Sequence, residues 1–224
     1  HISYHPSISA NHDLVTNQND KTLSLTDKKL SERPFLSSGI GGILHIASSY
    51  SSRFDEVILQ LPKGRALKGI NISANRGQTS ITNASLENAT LNTNSYILRI
   101  KGSRIKNSKL TTPNIVNIFD TDLTDSQLES TERHFRAENI KVYGKVELSS
   151  KNALSIMLTQ KESQEINLDL SSHHGFIYQL LRDKSQQKPN ELSNPYKTEK
   201  TDVKGQLIAK ADDYISLETT ANRP

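Results

Sequence analysis

The sequence predicts an all-β chain wound as a single parallel β-solenoid of eighteen to nineteen residues per coil, capped by short strands at both ends. Three observations carry this expectation. Apolar residues recur at that interval in three separate columns, a polar corner residue recurs in the same register, and stretches such as "YILRI" and "IKVYGKVEL" alternate with the period of two that belongs to strands.

Residues 1–66 read as N-terminal capping strands and a loop. "KTLSLTD" and "FDEVILQLPKG" alternate as strands do, and the Ser- and Gly-rich "FLSSGIGGILHIASSYSS" separates them as a flexible connection.

Residues 67–158 are the repeat. The first column is Leu67, Leu86, Ile105, Leu123 and Val142, and the third is Ile81, Ile100, Ile118, Ala137 and Ile156. The second runs Ile72, Leu91, Leu110 and Leu128, then slips by one residue, so that Val146 and Leu148 flank the slot at Glu147. Fourteen of the fifteen slots are apolar, where bulk composition would give roughly five. A fourth column, Gly69, Asn88, Asn107, Asp125 and Gly144, holds residue types that tolerate positive φ at least cost, which predicts a tight corner once per coil. Offsets of five, nine and five residues fit no helical period. A coil this short lacks the leucine-rich consensus and the length of a propeller blade. At about 4.8 Å per stacked strand, five coils span roughly 24 Å, and like residue lies over like. The same register sets Arg104 over Asp122 and Lys106 over Glu87, opposite charges on neighbouring strands.

Residues 159–224 read as C-terminal strands. "EINLDLSSHHGFIYQL" alternates, "GQLIAKADDYISLE" is expected to return as a closing strand pair, and a polar segment near 182–204 containing Pro189 and Pro195 reads as a long loop or disordered insertion. The whole is one elongated domain of 224 residues. A hydrophobic content of 33% and an aromatic content of 5%, without tryptophan, suffice because the apolar residues are so regularly placed.

The absence of cysteine excludes disulfides, thiolate metal sites and thiol nucleophiles. No run of eighteen apolar residues occurs, and a chain beginning at His1 is expected to have lost a signal or anchor segment. The net charge of +4 arises from many charges of both signs and points to no particular polyanion.

Taken together, "EVILQLPKG" leading into "LKGINISANRG", and "VELSSKNALSI" followed by "INLDLSSHHGFIY", resemble the bacterial adhesin-domain family of β-solenoid ectodomains over nearly the whole chain. That family usually sets an Asn-Gly or Asp-Gly turn before each third-column strand. Here only "NRG" at Asn75 to Gly77 and "HHG" at His173 to Gly175 keep the glycine. The resemblance implies a cell-surface or membrane-anchored location, a link to envelope regulation, no cofactor, and no catalytic residues to transfer.

Asp120, Asp122 and Asp125 could cage a calcium ion, but the loop lacks the glycine and terminal glutamate of an EF-hand and Asp125 has a corner role. Lyases and hydrolases on β-helices need convergent carboxylates, whereas these three are expected over Lys101, Arg104 and Asn107. "SGIGGIL" lacks the lysine of a P-loop, and no "GxSxG" elbow occurs. The seven histidines show no i, i+4 metal pairing. In "RIKGSRIKNSK", by contrast, Arg99 and Lys101 flank the inward Ile100 and Lys109 has only Thr90 and Gln127 in register, so the three are expected as an exposed patch for an anionic ligand. No interleaved aromatics accompany them, so nucleic acid is not expected. The function expected is a non-enzymatic, extracytoplasmic interaction module without metal or cofactor. Its partner would be an anionic envelope polymer, lipid headgroups or another surface protein. The alternative is a carbohydrate-active enzyme on a β-helix.

Overall fold

A computed structural model describes residues 2–4, 12–17, 22–27, 43–47, 56–60, 78–181 and 189–220. Near the N-terminus lie β1 (Ile2–Tyr4), β2 (His12–Asn17), β3 (Thr22–Asp27), β4 (Ile43–Ala47) and β5 (Glu56–Gln60). The β2 and β3 strands pair as an isolated antiparallel hairpin, while β1, β5 and β4 pair antiparallel in that order. Part of the Ser- and Gly-rich connection is therefore strand β4. Leu67, Gly69, Ile72 and the "NRG" turn lie outside the described residues.

From residue 78 the chain advances in rounds of three strands. The first is β6 (Gln78–Thr82), β7 (Ser85–Glu87) and β8 (Thr90–Asn92). The second is β9 (Ile97–Lys101), β10 (Arg104–Lys106) and β11 (Lys109–Thr112), and the third is β12 (Ile115–Phe119), β13 (Asp122–Thr124) and β14 (Gln127–Ser130). The fourth begins with β15 (Phe135–Glu138) and continues into β16 (Lys141–Ser150), one strand that spans both remaining positions. Corresponding strands pair in parallel in the register the columns predict: Ile81 beside Ile100, Ile100 beside Ile118, Leu86 beside Ile105, Leu91 beside Leu110. Leu128 pairs with Leu148, so the slip in the second column is an extra residue in the last round, and Leu148 fills the slot rather than Glu147. All of these apolar residues are buried. Stacking like side chains on like gives a continuous core from few hydrophobic residues, which is why the composition suffices.

The last third departs from simple succession. β17 (Leu154–Thr159) stacks on β15, the short helix α1 (Gln160–Glu165) follows, and then come β18 (Ile166–Ser172) and β19 (Ile177–Leu181). Residues 189–204, within the segment read as a polar loop, carry β20 (Asn190–Leu192) and β21 (Tyr196–Lys197), which pair antiparallel with β19 and β18. Residues 182–188 lie outside the described residues. The expected closing pair, β22 (Gly205–Ala211) and β23 (Ile215–Thr220), does not close the stack. β22 lies between β16 and β18, and β23 lies between β17 and β19, parallel on both sides. The final round is thus interleaved between two earlier ones, and its Leu207, Ala209, Ile215 and Leu217 join the same core.

The fold is all-β with one short described helix, and its parallel strands lie in curled sheets. One sheet has eleven strands, from β1 through β6, β9 and β12 to β20. The other has ten, because β16 joins the β7, β10, β13 ladder to the β8, β11, β14 ladder.

Candidate functional site

The corners decide which side chains face outward. Asn88, Asn107, Asp125 and Gly144 all have positive φ, as the polar column predicts. A second such column, two residues after the third apolar one, escaped the sequence reading: Asn83, Gly102, Asp120 and Asn139. The residue after each left-handed position points inward, except after Gly144, where Lys145 is exposed. Where it is Ser or Thr, its hydroxyl donates to the carbonyl two residues back and accepts an N–H from the preceding round. Ser108 Oγ donates to Lys106 O at 2.7 Å and accepts from Ala89 N at 3.0 Å. Ser126 Oγ does the same with Thr124 O at 2.6 Å and Ser108 N at 3.1 Å. Buried corner amides, which no strand partner reaches, are satisfied in this way.

Most of the repeat's carboxylates are engaged; Glu129 and Glu132 are the exceptions among the described rounds. Asp122 lies 3.6 Å from Arg104 and 4.0 Å from Lys141, and Glu87 lies 3.3 Å from Lys106. Glu138 pairs with Arg136, Asp120 accepts from Asn139 Nδ2 at 2.6 Å, and Asp125 accepts from Lys145 N at 2.9 Å. Asp120 does not stand over Lys101 as the register suggested, because Lys101 pairs with Phe119. The three aspartates therefore serve three different partners, and among the described residues no group of three His, Asp or Glu is placed to hold a metal ion.

Arg99, Lys101 and Lys109 are all exposed, but they do not form one patch. Arg99 and Lys101 lie on β9, on the outer face of the eleven-stranded sheet, and the Arg99 guanidinium sits 5.5 Å from the Phe119 ring of the next round. Lys109 lies on β11 in the other sheet, between Thr90 and Gln127. There it lines an open groove of about 550 Å³ with Asn88, Asn107, Asp125, Lys145 and Glu147. Glu147 is held by Lys145 at 2.6 Å. Neither Lys101 nor Lys109 has a carboxylate partner among the described residues.

Two further features were not anticipated. Phe176 is 52% and Tyr214 is 45% exposed, each just before one of the adjacent strands β19 and β23, and the Phe176 ring lies 5.9 Å from that of Tyr178. At the end of the β7, β10, β13 ladder, α1 presents Glu162, Glu165 and, from the chain returning before β22, Lys204. Lys204 Nζ lies 2.6 Å from Glu162 and 2.9 Å from Glu165. Burial opposes the charge on Lys204, but hydrogen bonds to both glutamates outweigh it and raise its pKa. The hydrogen bond from Lys204 likewise lowers that of Glu165. No sequence period links residues forty positions apart, so this cluster was not legible beforehand.

Fold and faces together define an all-β repeat protein whose parallel rounds display ordered outward columns. The chain matches the family described as Toastrack DUF4097 over residues 1–218, and it belongs to that family. No curated protein and no solved structure matches it. Among the described residues no helix is long and apolar enough to cross a membrane.

Proposed function

We propose that the chain is a non-enzymatic interaction module of a bacterial cell-surface or membrane-anchored protein, an adhesin in the broad sense, whose rounds wind as one β-solenoid and whose basic faces meet an anionic partner. One observation carries this reading: the carboxylates named above, Glu129 and Glu132 apart, are tied to cations, amides or backbone, while Lys101 and Lys109 are not. Lys101 and Lys109 therefore offer free positive charge, beside the unpartnered Glu129 and Glu132, and an anionic envelope polymer or lipid headgroup complements the two lysines. No observation favours the carbohydrate-active alternative: Asp120, Asp122 and Asp125 serve three different partners and do not converge.

Titration against teichoic acid or anionic vesicles at low and physiological salt tests this. The parent should bind, more weakly with added salt, and R99Q/K101Q/K109Q should bind less. Because the residues lie on different sheets, R99Q/K101Q and K109Q read the two faces separately. No binding by the parent at low salt, or equal binding by the triple variant, would refute the proposal.

A further inference from the structure

We infer that the outer face of the eleven-stranded sheet docks a second copy of this chain across a two-fold axis. The face carries two unlike regions. In one, inside the sheet next to β6, Ile97 and Ile115 stand in register at the start of β9 and β12, and Arg99 and Lys101 project beside them. In the other, Tyr214 and Phe176 are half exposed at the entry to the neighbouring strands β23 and β19, with Tyr178 beside Phe176 and the exposed Glu191 paired opposite Tyr178. Of the twelve Phe and Tyr residues in the chain, three thus gather at the start of two adjacent strands. Glu191 has no cation partner among the described residues.

Across these regions the strand order is β9, β12, β15, β17, β23, β19, β20. A two-fold axis along the strand direction, between β15 and β17, reverses that order while keeping each outward column facing its own equivalent. It sets β9 of one copy against β19 of the other and β12 against β23. Ile97 then meets Phe176, Ile115 meets Tyr214, and Arg99 meets Tyr178 with Glu191 on the next strand. In the first outward column apolar residues face aromatic ones and in the second Arg99 faces the region of the free carboxylate, while the third column sets Lys101 against Leu180 and Phe119 against Glu218. An arginine over a tyrosine face, flanked by a carboxylate, combines cation–π and ionic attraction.

The size of the face sets the strength. Six strands at about 4.8 Å and five residues at about 3.3 Å give a flat area of roughly 480 Å² per copy. That places the contact at the low end of specific interfaces, which implies a concentration-dependent dimer rather than an obligate one. The inference does not rest on the anion-binding proposal. In the dimer Arg99 is engaged by the second copy, whereas Lys109 belongs to the other sheet.

Sedimentation velocity of the full chain between about 5 and 500 μM, without any polyanion, tests it. The parent should show a dimer fraction that rises with concentration. F176E, at a half-exposed position where circular dichroism should report an intact fold, should remain monomeric. R99E should weaken association about tenfold, R99E/E191R should restore it, and K109E should leave it unchanged. A parent that stays monomeric throughout would overturn the inference. So would F176E and R99E dimerising like the parent, or a double variant no tighter than R99E.

Discussion

Val142 donates its backbone N–H to Oε1 of Glu162 at 2.7 Å, where a strand of a further round would otherwise have offered a carbonyl. The ladder of β7, β10 and β13 ends at this point of β16, and a carboxylate on α1 takes the place of the missing strand. Its other oxygen receives Lys204 Nζ at 2.6 Å, and Lys204 N donates to Glu165 O at 2.9 Å, which fixes the chain on its way into the interleaved round. Thr159 begins α1 by accepting from Glu162 N at 3.1 Å, so the cap of the helix also aims the carboxylate. A sheet edge that would attract another chain is covered.

Glu162 is 6% exposed in its side chain, and Lys204 is 24% exposed. Glu162→Ala leaves a buried N–H without an acceptor and a half-buried ammonium short of one partner. We expect a loss of about 2–4 kcal/mol in urea unfolding, with Glu162→Gln costing less because it keeps an acceptor. If Glu162→Ala matched the parent, the carboxylate would not be closing the ladder.

The same cluster gives stability a pH dependence. Glu165, lowered from 4.5 by its hydrogen bond to Lys204, contributes stability above that ordinary value and loses it as pH falls through the lower folded value. Lys204, raised above 10.5 because the two glutamates outweigh its burial, contributes stability that is fully present below 10.5 and is lost as pH rises through the higher folded value. The thermal midpoint of Glu165→Gln should trail the parent's at neutral pH and converge on it in acid. A constant gap across the acid range would contradict this.

Corner hydroxyls predict a different signature. Ser108→Ala removes the acceptor of the Ala89 N–H and should cost about 1–3 kcal/mol. Ser108→Thr keeps the oxygen and should cost less. Equal losses for both would mean that packing, and not the hydrogen bond, dominates this corner.

Leu110 is 1% exposed, between Leu91 and Leu128. Leu110→Asp places a carboxylate with no cation among stacked leucines and should abolish the cooperative unfolding transition, since such a charge costs several kcal/mol. A thermal midpoint unchanged from the parent's would show that the column is not a core.

What the sequence made legible is what stacking repeats. Ile81, Ile100, Ile118, Ala137 and Ile156 pair neighbour to neighbour as spaced, and Arg104 meets Asp122 because register alone places them together. The second left-handed column was present in the same spacing and was overlooked because Asn83, Gly102, Asp120 and Asn139 read as ordinary surface residues. The candidate patch fared less well. Eleven residues of sequence held Arg99, Lys101 and Lys109, but two corners intervene between Lys101 and Lys109 and carry Lys109 to another sheet. Glu162 and Lys204 were illegible because they meet only once, through chain that leaves the repeat and returns. For the same reason nothing in "GQLIAKADDYISLE" tells where its strands insert: its alternation fits an end position and an interleaved one equally well.

That insertion is the account's central claim, for it decides which side chains are neighbours on both outer faces, Tyr214 beside Phe176 included. A chain without cysteine allows a direct measurement. Ile208 pairs with Glu147 on one side and Asp169 on the other. Cysteines at 147 and 208, or at 169 and 208, would stand about 5 Å apart, within disulfide reach, whereas cysteines at 147 and 169 would be about 10 Å apart and out of it. Under mild oxidation of the folded protein, the first two pairs should close and the third should stay reduced. A closed 147–169 disulfide with an open 147–208 pair would place β18 directly on β16 and contradict the interleaved round.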